Sequence, residues 1–378
     1  MTRQSILNIR HRELGSKLDG DMWNDMPLPW FYNSDPNDEV VAVRSAAGLF
    51  DISALNILHV SGPDAAAVID SLCAIDVTKM KPGTARLAAE VDERGALCDD
   101  LMVIYDAPNR YRISHGGGST QERLRGAAEQ RNVEWRQDFD VHMLSLQGPR
   151  AAAILQPHIG MDVNRLPYFA HVETQLFDRK IVISRGGYSG EQGFEVSCSA
   201  DHAIALWDAI LDAGKPHGIV PASWTALELA RIEAALLFYP FDMPEGDTTP
   251  WELNLDWMVD TDKPGDYIGK TALLNARGKE RFKQAGVVVK HDGPVTAGAK
   301  IFVGKEEAGV VTSASFSRYL MQSLAMVHLK PGYTALGTKV EIRDAAGNFS
   351  GVVTKTPFYD PMPVSYTHLR AHETGRNL

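Results

Sequence analysis

A repeated stretch limits the architecture of this chain more than any other feature of its sequence. Residues 58–67, LHVSGPDAAA, are echoed by residues 144–153, LSLQGPRAAA. Each copy reads as a strand, a Gly-Pro turn and a helix, because proline is tolerated at the first helical position and alanine favours helix. Two copies predict two similar α+β lobes that pack face to face and leave a crevice between them.

The pattern changes near residue 281, where short strand-like segments follow one another with Gly and Lys turns between them. This spacing predicts a small antiparallel β-barrel with strands over residues 285–289, 299–303, 308–312, 323–328, 338–343 and 352–355. We therefore expect an α+β fold in which residues 1–275 form one domain from two lobes, about 1–140 and 141–275. A linker over residues 270–280 leads into a barrel domain over residues 281–361.

Apolar spacing also predicts helices over residues 38–49, 203–213 and 222–237. The last residues, 364–378, break the composition with two histidines, two arginines and no apolar periodicity. We expect this stretch to be a non-native tail and leave it out of the fold prediction.

Composition excludes several classes of function. The net charge is −10 and no basic run offsets it, which argues against a nucleic-acid partner. No apolar stretch reaches the length of a membrane helix and residues 1–14 lack the apolar core of a signal peptide, so we expect a cytoplasmic protein without a membrane partner. Cys73, Cys98 and Cys198 are spaced like neither a disulfide framework nor a zinc site, and we predict buried thiols and no metal.

Residues 91–105, VDERGALCDDLMVIY, read as a β-hairpin whose second strand begins beside two adjacent carboxylates, Asp99 and Asp100. Neighbouring strand residues point to opposite faces, so we expect one aspartate to face the crevice while the other faces solvent or caps the turn. The alternative is an ordinary turn with a solvated acidic pair.

A glycine-rich stretch, residues 185–195 (RGGYSGEQGFE), ends on Glu195 as an apolar strand begins. Glycines let backbone approach a flat ligand closely, and an ionised carboxylate forms two strong hydrogen bonds with a donor–donor edge such as that of a pterin. The alternative is a glycine-rich hairpin with Glu195 outside the core.

These two stretches occur in order with three further motifs, Gln147-Gly148-Pro149, Arg231-Ile232-Glu233-Ala234 and residues 266–270, DYIGK. As a set they resemble the aminomethyltransferase family, which comprises the T protein of glycine cleavage and tetrahydrofolate-dependent relatives such as dimethylsulfoniopropionate demethylase. The resemblance runs from about His11 to Pro361. It implies two α+β lobes that form a folate-binding domain, plus a C-terminal barrel, around a funnel that holds tetrahydrofolate.

The resemblance also implies roles for individual residues. Its functional aspartate corresponds to Asp100, which we predict to be catalytic, with Asp99 as a neighbour that contacts the cofactor. Its pterin-binding glutamate corresponds to Glu195, and the tyrosine of its glycine loop corresponds to Tyr188. The expected reaction moves a methyl or methylene group from a small amine or onium compound to N5 of tetrahydrofolate.

Two further positions are assigned to the cofactor site. His115 stands before three glycines at the end of a predicted strand, where it is expected to line the crevice as a proton carrier. A satisfied structural histidine is the alternative. Arg231 lies on a predicted helix, three residues after Glu228, so an intrahelical ion pair is available to it. For Arg231 the alternative is a surface salt bridge.

The sequence departs from T proteins on the donor side. Residues 225–228 are Thr-Ala-Leu-Glu where T proteins have Gly-Ala-Arg-Asp, so Leu227 replaces an arginine. We therefore predict a small-molecule donor, with lipoyl carrier protein a poor one, and a monomer or homodimer. The alternative function is a folate-binding regulatory module without turnover, although the Lys-Gly-Cys motif of such relatives is missing. A flavin oxidase would need a further dinucleotide-binding domain.

Overall fold

The computed structural model describes residues 3–360, so the predicted tail at 364–378 lies outside the described residues. The helices are α1 (Asn8–Glu13), α2 (Pro36–Ser45), α3 (Ala65–Leu72), α4 (Thr120–Ala128), α5 (Ala151–Leu155), α6 (Ala200–Gly214), α7 (Trp224–Glu233) and α8 (Lys270–Ala276). The strands are β1 (Met22–Trp23), β2 (Met26–Pro27), β3 (Ala47–Asp51), β4 (Asn56–Ser61), β5 (Thr84–Val91), β6 (Leu97–Ala107), β7 (Arg110–His115), β8 (Glu134–Gln137), β9 (Val141–Gln147), β10 (His171–Leu176), β11 (Arg179–Arg185), β12 (Gly193–Ser199), β13 (Ile219–Pro221), β14 (Lys283–Val289), β15 (Lys300–Val303), β16 (Glu306–Ser317), β17 (Gln322–Leu329), β18 (Lys339–Asp344) and β19 (Gly347–Thr354).

Three larger sheets organise these elements and confirm the α+β class. The first sheet has the order β5-β6-β7-β4-β8 and the second has the order β10-β11-β12-β9-β3-β13. In the C-terminal region a closed barrel runs β14-β17-β16-β15-β18-β19, and each of its six strands overlaps one that the sequence predicts. Within residues 3–360, no helix is long and apolar enough to cross a membrane.

The sequence repeat is preserved in the backbone of the two lobes. Gly62 has φ +128° and Gly148 has φ +129°. An added Cβ would lie 2.6 Å from Asn132 O at the first glycine and 2.7 Å from Ala46 O at the second. Because both glycines are in tight contact with backbone, each strand–turn–helix copy requires glycine for the same physical reason.

Each sheet has one face covered by its own helices. Leu58 and Leu101 of the first sheet pack in a core with Ala65 of α3. In the second sheet Leu146 packs in a core with Trp207 of α6. We call these helix-covered faces the outer faces and their opposites the inner faces.

The two inner faces meet in one apolar cluster. Ile57 of the first sheet belongs to the same cluster as Phe50 and Met143 of the second. The sheets are also joined at an edge, where Ala85 N–H donates to Phe169 O at 2.7 Å. The predicted face-to-face arrangement of the two sheets is therefore present.

Long-range pairing changes some predicted segments. Residues 47–49, which the sequence assigns to the end of a helix and to the first lobe, instead begin β3 in the second sheet, where this strand pairs with β9. The stretch 270–280 is not a plain linker, because residues 270–276 form α8. Helix α7 ends at Glu233 rather than residue 237. Cys73, Cys98 and Cys198 are free, buried thiols, as predicted.

Candidate active site

Asp99 and Asp100 lie on opposite faces of the first sheet. Asp99 pairs with Glu90 across strands β5 and β6, on the outer face, whereas Asp100 pairs with Ala89 on the inner face. Within residues 3–360 no basic side chain forms an ion pair with Asp100. Burial and the neighbouring Asp99 charge raise the pKa of the Asp100 carboxyl well above its usual range.

Asp99 does not face solvent, so the alternative of an ordinary turn with a solvated acidic pair is wrong. Its carboxylate is fully buried and accepts from Asp100 N–H at 2.9 Å and from Gly117 N–H at 3.3 Å. The Thr120 hydroxyl lies 3.0 Å from its Oδ2. The Asp99 oxygens contact protein groups on the outer face, so this carboxylate does not line the inner face where the ligand is predicted to bind.

His115 shares the outer face with Asp99 instead of lining the crevice as predicted. Strand alternation turns its neighbour Ser114, which pairs with Met102, to the inner face. The His115 Nδ1 lies 2.9 Å from Gly117 O and 3.3 Å from Asp99 Oδ2. Both are acceptors, so Nδ1 carries the proton, while the buried Nε2 has no hydrogen-bond partner in the described chain.

Glu195 is on the inner face of the second sheet. It pairs with Ser184 on one side and with Ser145 on the other, and Ser145 in turn pairs with Phe50. Nothing within residues 3–360 donates a hydrogen bond to its half-buried side chain or pairs with its charge. Burial alone raises the pKa of Glu195 to about 7. The alternative that Glu195 lies outside the core is therefore wrong.

Two glycines of the predicted ligand loop serve a protein side chain. A Cβ at Gly187 or Gly193 would lie 2.1 or 2.2 Å from the amide of Gln147. That amide donates to Gly186 O at 3.1 Å and accepts from the Ser189 hydroxyl at 2.7 Å. The glycine-rich stretch and the Gln-Gly-Pro motif are thus two halves of one packing arrangement, which holds the loop beside β12.

The Tyr188 side chain extends from this loop into the apolar cluster between the two inner faces. Its hydroxyl donates to Leu237 O at 2.5 Å, and its ring packs in the inner-face cluster with Phe50 and Met143. Burial raises the pKa of Tyr188 well above its usual value, and the charges of Arg231 and Asp100 also act on it. The structure therefore brings Tyr188 into the neighbourhood of Asp100.

Arg231 forms the predicted pair with Glu228, but the surface reading of that pair is wrong. Arg231 is 1% exposed, and all five of its N–H groups have protein acceptors. The guanidinium contacts both oxygens of Glu228, Asp242 Oδ2 at 2.6 Å, Leu236 O at 3.2 Å and Ser313 Oγ at 2.9 Å. No donor remains for a bound cofactor, so Arg231 joins α7 to the barrel instead of contacting the ligand.

Sequence reasoning missed three residues beneath Asp99. Thr120 and Arg123 of α4 contact Glu90, with Thr120 Oγ1 at 2.7 Å and Arg123 Nε at 2.8 Å. Burial raises the pKa of Glu90. The available signal was the strand alternation itself, because Glu90 occupies an apolar position of β5 between the buried Ala89 and Val91.

Comparisons with known proteins agree with this fold. The family model described as the GCVT N-terminal domain matches residues 9–263, and the model described as the glycine cleavage T-protein C-terminal barrel domain matches residues 283–360. A crystal structure of the glycine cleavage system aminomethyltransferase T from Bartonella henselae has a TM-score of 0.87. It is 27% identical and covers 95% of this chain and 99% of that chain.

Two similar proteins carry different names. The heme-dependent oxidative N-demethylase gamma subunit of Ectopseudomonas mendocina is 38% identical over 95% of this chain and 96% of its own. The aminomethyltransferase of Streptomyces coelicolor is 31% identical over 94% of this chain and 97% of its own. The chain belongs to the glycine cleavage T-protein, or aminomethyltransferase, family.

Proposed function

We propose that this protein is a tetrahydrofolate-dependent one-carbon transferase that moves a methyl or methylene unit from a small amine or onium compound to tetrahydrofolate. The observation that carries the proposal is the pair of inner-face carboxylates, Asp100 and Glu195, one from each sheet and neither paired with a basic side chain. Enclosed carboxylates without partners are costly, and such groups cluster where a ligand completes them.

Each carboxylate has a distinct task in this proposal. Glu195 accepts two hydrogen bonds from the amino-pyrimidinone edge of the pterin, which favours its ionised form. Tetrahydrofolate supplies N5 as the nucleophile. Asp100 stabilises the positive charge that develops at N5 or takes its proton, and burial, which raises the pKa of its carboxyl, favours the role of proton acceptor. Tyr188 packs beside the two sheets and limits the width of the site.

The donor is proposed from the sequence departure and from the relatives. Leu227 stands where T proteins have an arginine, so this position has no polar group to bind a carboxylate. Its side chain is 5% exposed and packs in the inner-face cluster. The N-demethylase gamma subunit is named as one part of a larger enzyme. We infer that a partner subunit oxidises an N-methyl group by two electrons, which pass to an electron acceptor held by that subunit. The carbon, now at the oxidation level of formaldehyde, would reach this chain and leave as methylene-tetrahydrofolate, with the amine released by the partner. We place the protein in the cytoplasm, where its free thiols stay reduced.

A measurement of turnover distinguishes the proposed enzyme from the alternative function, a folate-binding regulatory module. Tetrahydrofolate binding is measured by calorimetry, and the purified chain is then incubated with tetrahydrofolate and a panel of methylated glycines, betaines, sulfonium compounds, methoxy-aromatics and formaldehyde. Mass spectrometry should find enzyme-dependent methyl- or methylene-tetrahydrofolate. Binding without turnover on the whole panel would instead favour a regulatory module.

The carrier prediction is negative. Because Leu227 lacks the arginine contact, aminomethyl-lipoyl carrier protein should support less than about one per cent of the turnover seen with the best small donor, a difference of roughly 3 kcal/mol. The measurement is glycine cleavage after addition of the other proteins of that system. A rate matching that of a genuine T protein in the same mixture would show that the Leu227 substitution does not exclude the carrier.

A further inference from the structure

The cluster beneath Asp100 has more acceptors than protons if all its carboxyls are ionised. Thr120 Oγ1 lies 2.7 Å from Glu90 Oε2 and 3.0 Å from Asp99 Oδ2. A hydroxyl has one hydrogen and can donate to only one of them. The second contact is a hydrogen bond only when one of the two carboxyls carries a proton and donates it to the Thr120 oxygen.

Two arrangements make both Thr120 contacts hydrogen bonds. In the first, Glu90 is protonated and donates to Thr120, which donates to an ionised Asp99. In the second, Asp99 is protonated and donates to Thr120, which donates to an ionised Glu90 beside the Arg123 guanidinium, whose Nε lies 2.8 Å from Glu90 Oε1. The two forms differ by the movement of two protons along the same hydrogen bonds, so the cluster neither gains nor loses a proton.

We propose that Thr120 carries this two-proton shift, which moves one negative charge between Asp99 and Glu90 and so sets how strongly Asp100 holds its proton. With the charge on Asp99, the adjacent Asp100 retains its proton. With the charge on Glu90, Arg123 compensates it and Asp100 ionises more easily. Thr120 and Glu90 are thus positioning residues that act on the reaction through Asp100.

The charges around the cluster agree with this assignment. Burial and the Asp99 charge raise the pKa of Asp100, and burial raises that of Glu90 while Arg123 opposes the rise. Interacting groups of this kind titrate as one unit. Within residues 3–360, other ionisable groups near the cluster include His115 from β7, Cys98 on β6, Asp92 from the hairpin turn, Tyr188 from the loop before β12, and Tyr239 with Glu245 from the segment after α7.

Infrared spectroscopy tests the shift on the protein alone. Protonated carboxyls have a separate C=O stretch, and the Asp100 band is the one that Asp100→Asn removes. Glu90→Gln prevents the charge from leaving Asp99, so the pH at which the Asp100 band disappears should rise by about one unit. Arg123→Gln serves as a second variant if Glu90→Gln does not fold. Without the guanidinium the ionised form of Glu90 is less stable, so the pH at which the Asp100 band disappears should again rise.

A double-variant comparison isolates the hydroxyl. In a Thr120→Val background the effect of Glu90→Gln should fall below about 0.3 pH units, because no path links the two carboxyls, whereas Thr120→Ser should keep the full effect. Thr78→Val is the matched control background, since the Thr78 hydroxyl also donates to a carboxylate, that of Asp76 at 2.5 Å, and lies outside the cluster. There the full shift should remain.

Several results would overturn the proposal. They are an unchanged or lowered midpoint in Glu90→Gln, an equal shift in the Thr120→Val background, or a wild-type spectrum in which Asp100→Asn removes no titrating band. The importance of the shift for one-carbon transfer rests on the proposed function of Asp100. Calorimetry with tetrahydrofolate on the same proteins keeps the questions apart, because absent binding would refute the proposed function without altering the infrared result.

Discussion

At the scale of single residues, Asp100 and Glu195 share one physical condition, enclosure without a basic partner. Their burial has different consequences because their neighbours differ. Asp100 has the charge of Asp99 beside it, whereas burial alone raises the pKa of Glu195. A ligand that presents hydrogen-bond donors therefore lowers the free-energy cost of the buried Glu195 charge, and a ligand that becomes cationic lowers the cost of ionising Asp100.

Glu195→Gln should weaken tetrahydrofolate binding by roughly 2 kcal/mol, about thirtyfold, because an amide presents one donor to two pterin donors. The wild-type pKa is about 7, raised above the ordinary value, so the ionised form that binds best is lost as pH falls through 7. Affinity should drop about tenfold from pH 8 to pH 6 in the wild type and stay level in the variant. Calorimetry at the two pH values measures both, and equal affinities for the two proteins would remove Glu195 from the site.

Asp100→Asn should lower turnover by two to three orders of magnitude, roughly 3–4 kcal/mol, because the charge it removes acts only as N5 becomes cationic. Folate affinity should change little. The matched control is Asp106→Asn on the same strand, where the carboxylate instead pairs with Arg112 and His171. Asp106→Asn should lower the free energy of unfolding and leave the turnover rate unchanged. If both variants lost turnover to a similar extent, the loss in Asp100→Asn would reflect the folding of β6 and not a catalytic role of Asp100.

The sequence predicts part of the arrangement around Asp99 and Asp100 but not the contacts beneath it. Strand alternation predicts that Asp99 and Asp100 separate to opposite faces, and they do. It does not say which face a helix covers, so the sequence places Asp99 either in solvent or as a cap on the turn. Thr120 meets Glu90 and Asp99 only because α4 packs across the β5–β6 pairing, a contact between distant residues that no local pattern encodes.

At the scale of elements, the β5–β6 hairpin that presents Asp100 is fixed by its turn. Gly95 and Gly269 both have positive φ, at +80° and +76°. A Cβ on Gly95 would lie 2.5 Å from Leu273 N, and one on Gly269 would lie 1.9 Å from Asp92 O. The hairpin turn and the start of α8 therefore approach each other as closely as bare backbone allows, which accounts for the glycine of the DYIGK motif.

Gly269→Ala should destabilise the protein by roughly 3 kcal/mol, the sum of a positive-φ cost near 1 kcal/mol and a further cost for displacing the turn. Gly278→Ala is the matched control, because Gly278 has φ +81° and no atom within 4 Å of the added Cβ. It should cost only about 1 kcal/mol. Urea unfolding compares the two variants. Equal losses would mean that the contact with Asp92 yields without cost.

Elements with a local signature were predicted well. The repeat and the barrel strands follow from alternation and turn residues that lie within a few positions of each other. Residues 47–49 at the start of β3 are predicted as helix because they continue the apolar spacing of α2, and only pairing with β9 and β13 makes them part of a strand. The short helix α8 was hidden by the polar residues around it.

At the scale of the whole molecule, buried polar contacts hold the barrel against the lobes. Arg231 of α7 reaches Ser313 of β16, and Glu233 accepts from the Ser317 hydroxyl at 2.5 Å while pairing with Arg44 of α2 at 2.8 Å. Asp242 accepts from both Arg231 and Ser313. Because these groups are satisfied only when all parts are in place, the barrel has one docking position.

Arg231→Leu should destabilise folding by roughly 3–5 kcal/mol, because Asp242 is left buried without its cation. Replacing both residues, Arg231→Leu with Asp242→Leu, should recover much of that loss, since no fully buried charge is left unpaired and Glu228, which also loses Arg231, is 39% exposed. The matched control is Lys215→Met, which breaks the exposed Lys215–Asp212 pair at the same three-residue spacing as Arg231 and Glu228. It should change stability by under about 0.5 kcal/mol.

Folate affinity of the folded Arg231→Leu protein then decides the role of this arginine. All five of its donors are engaged by protein, so affinity should change less than about threefold, under 1 kcal/mol, at a temperature where the variant is native. Urea unfolding gives the stability and calorimetry gives the affinity on the same samples. A tenfold loss of affinity in a fully folded sample would restore Arg231 to the cofactor site that the sequence predicts for it. Equal stability of the variant and the wild type would show that the barrel is held by its apolar contacts instead.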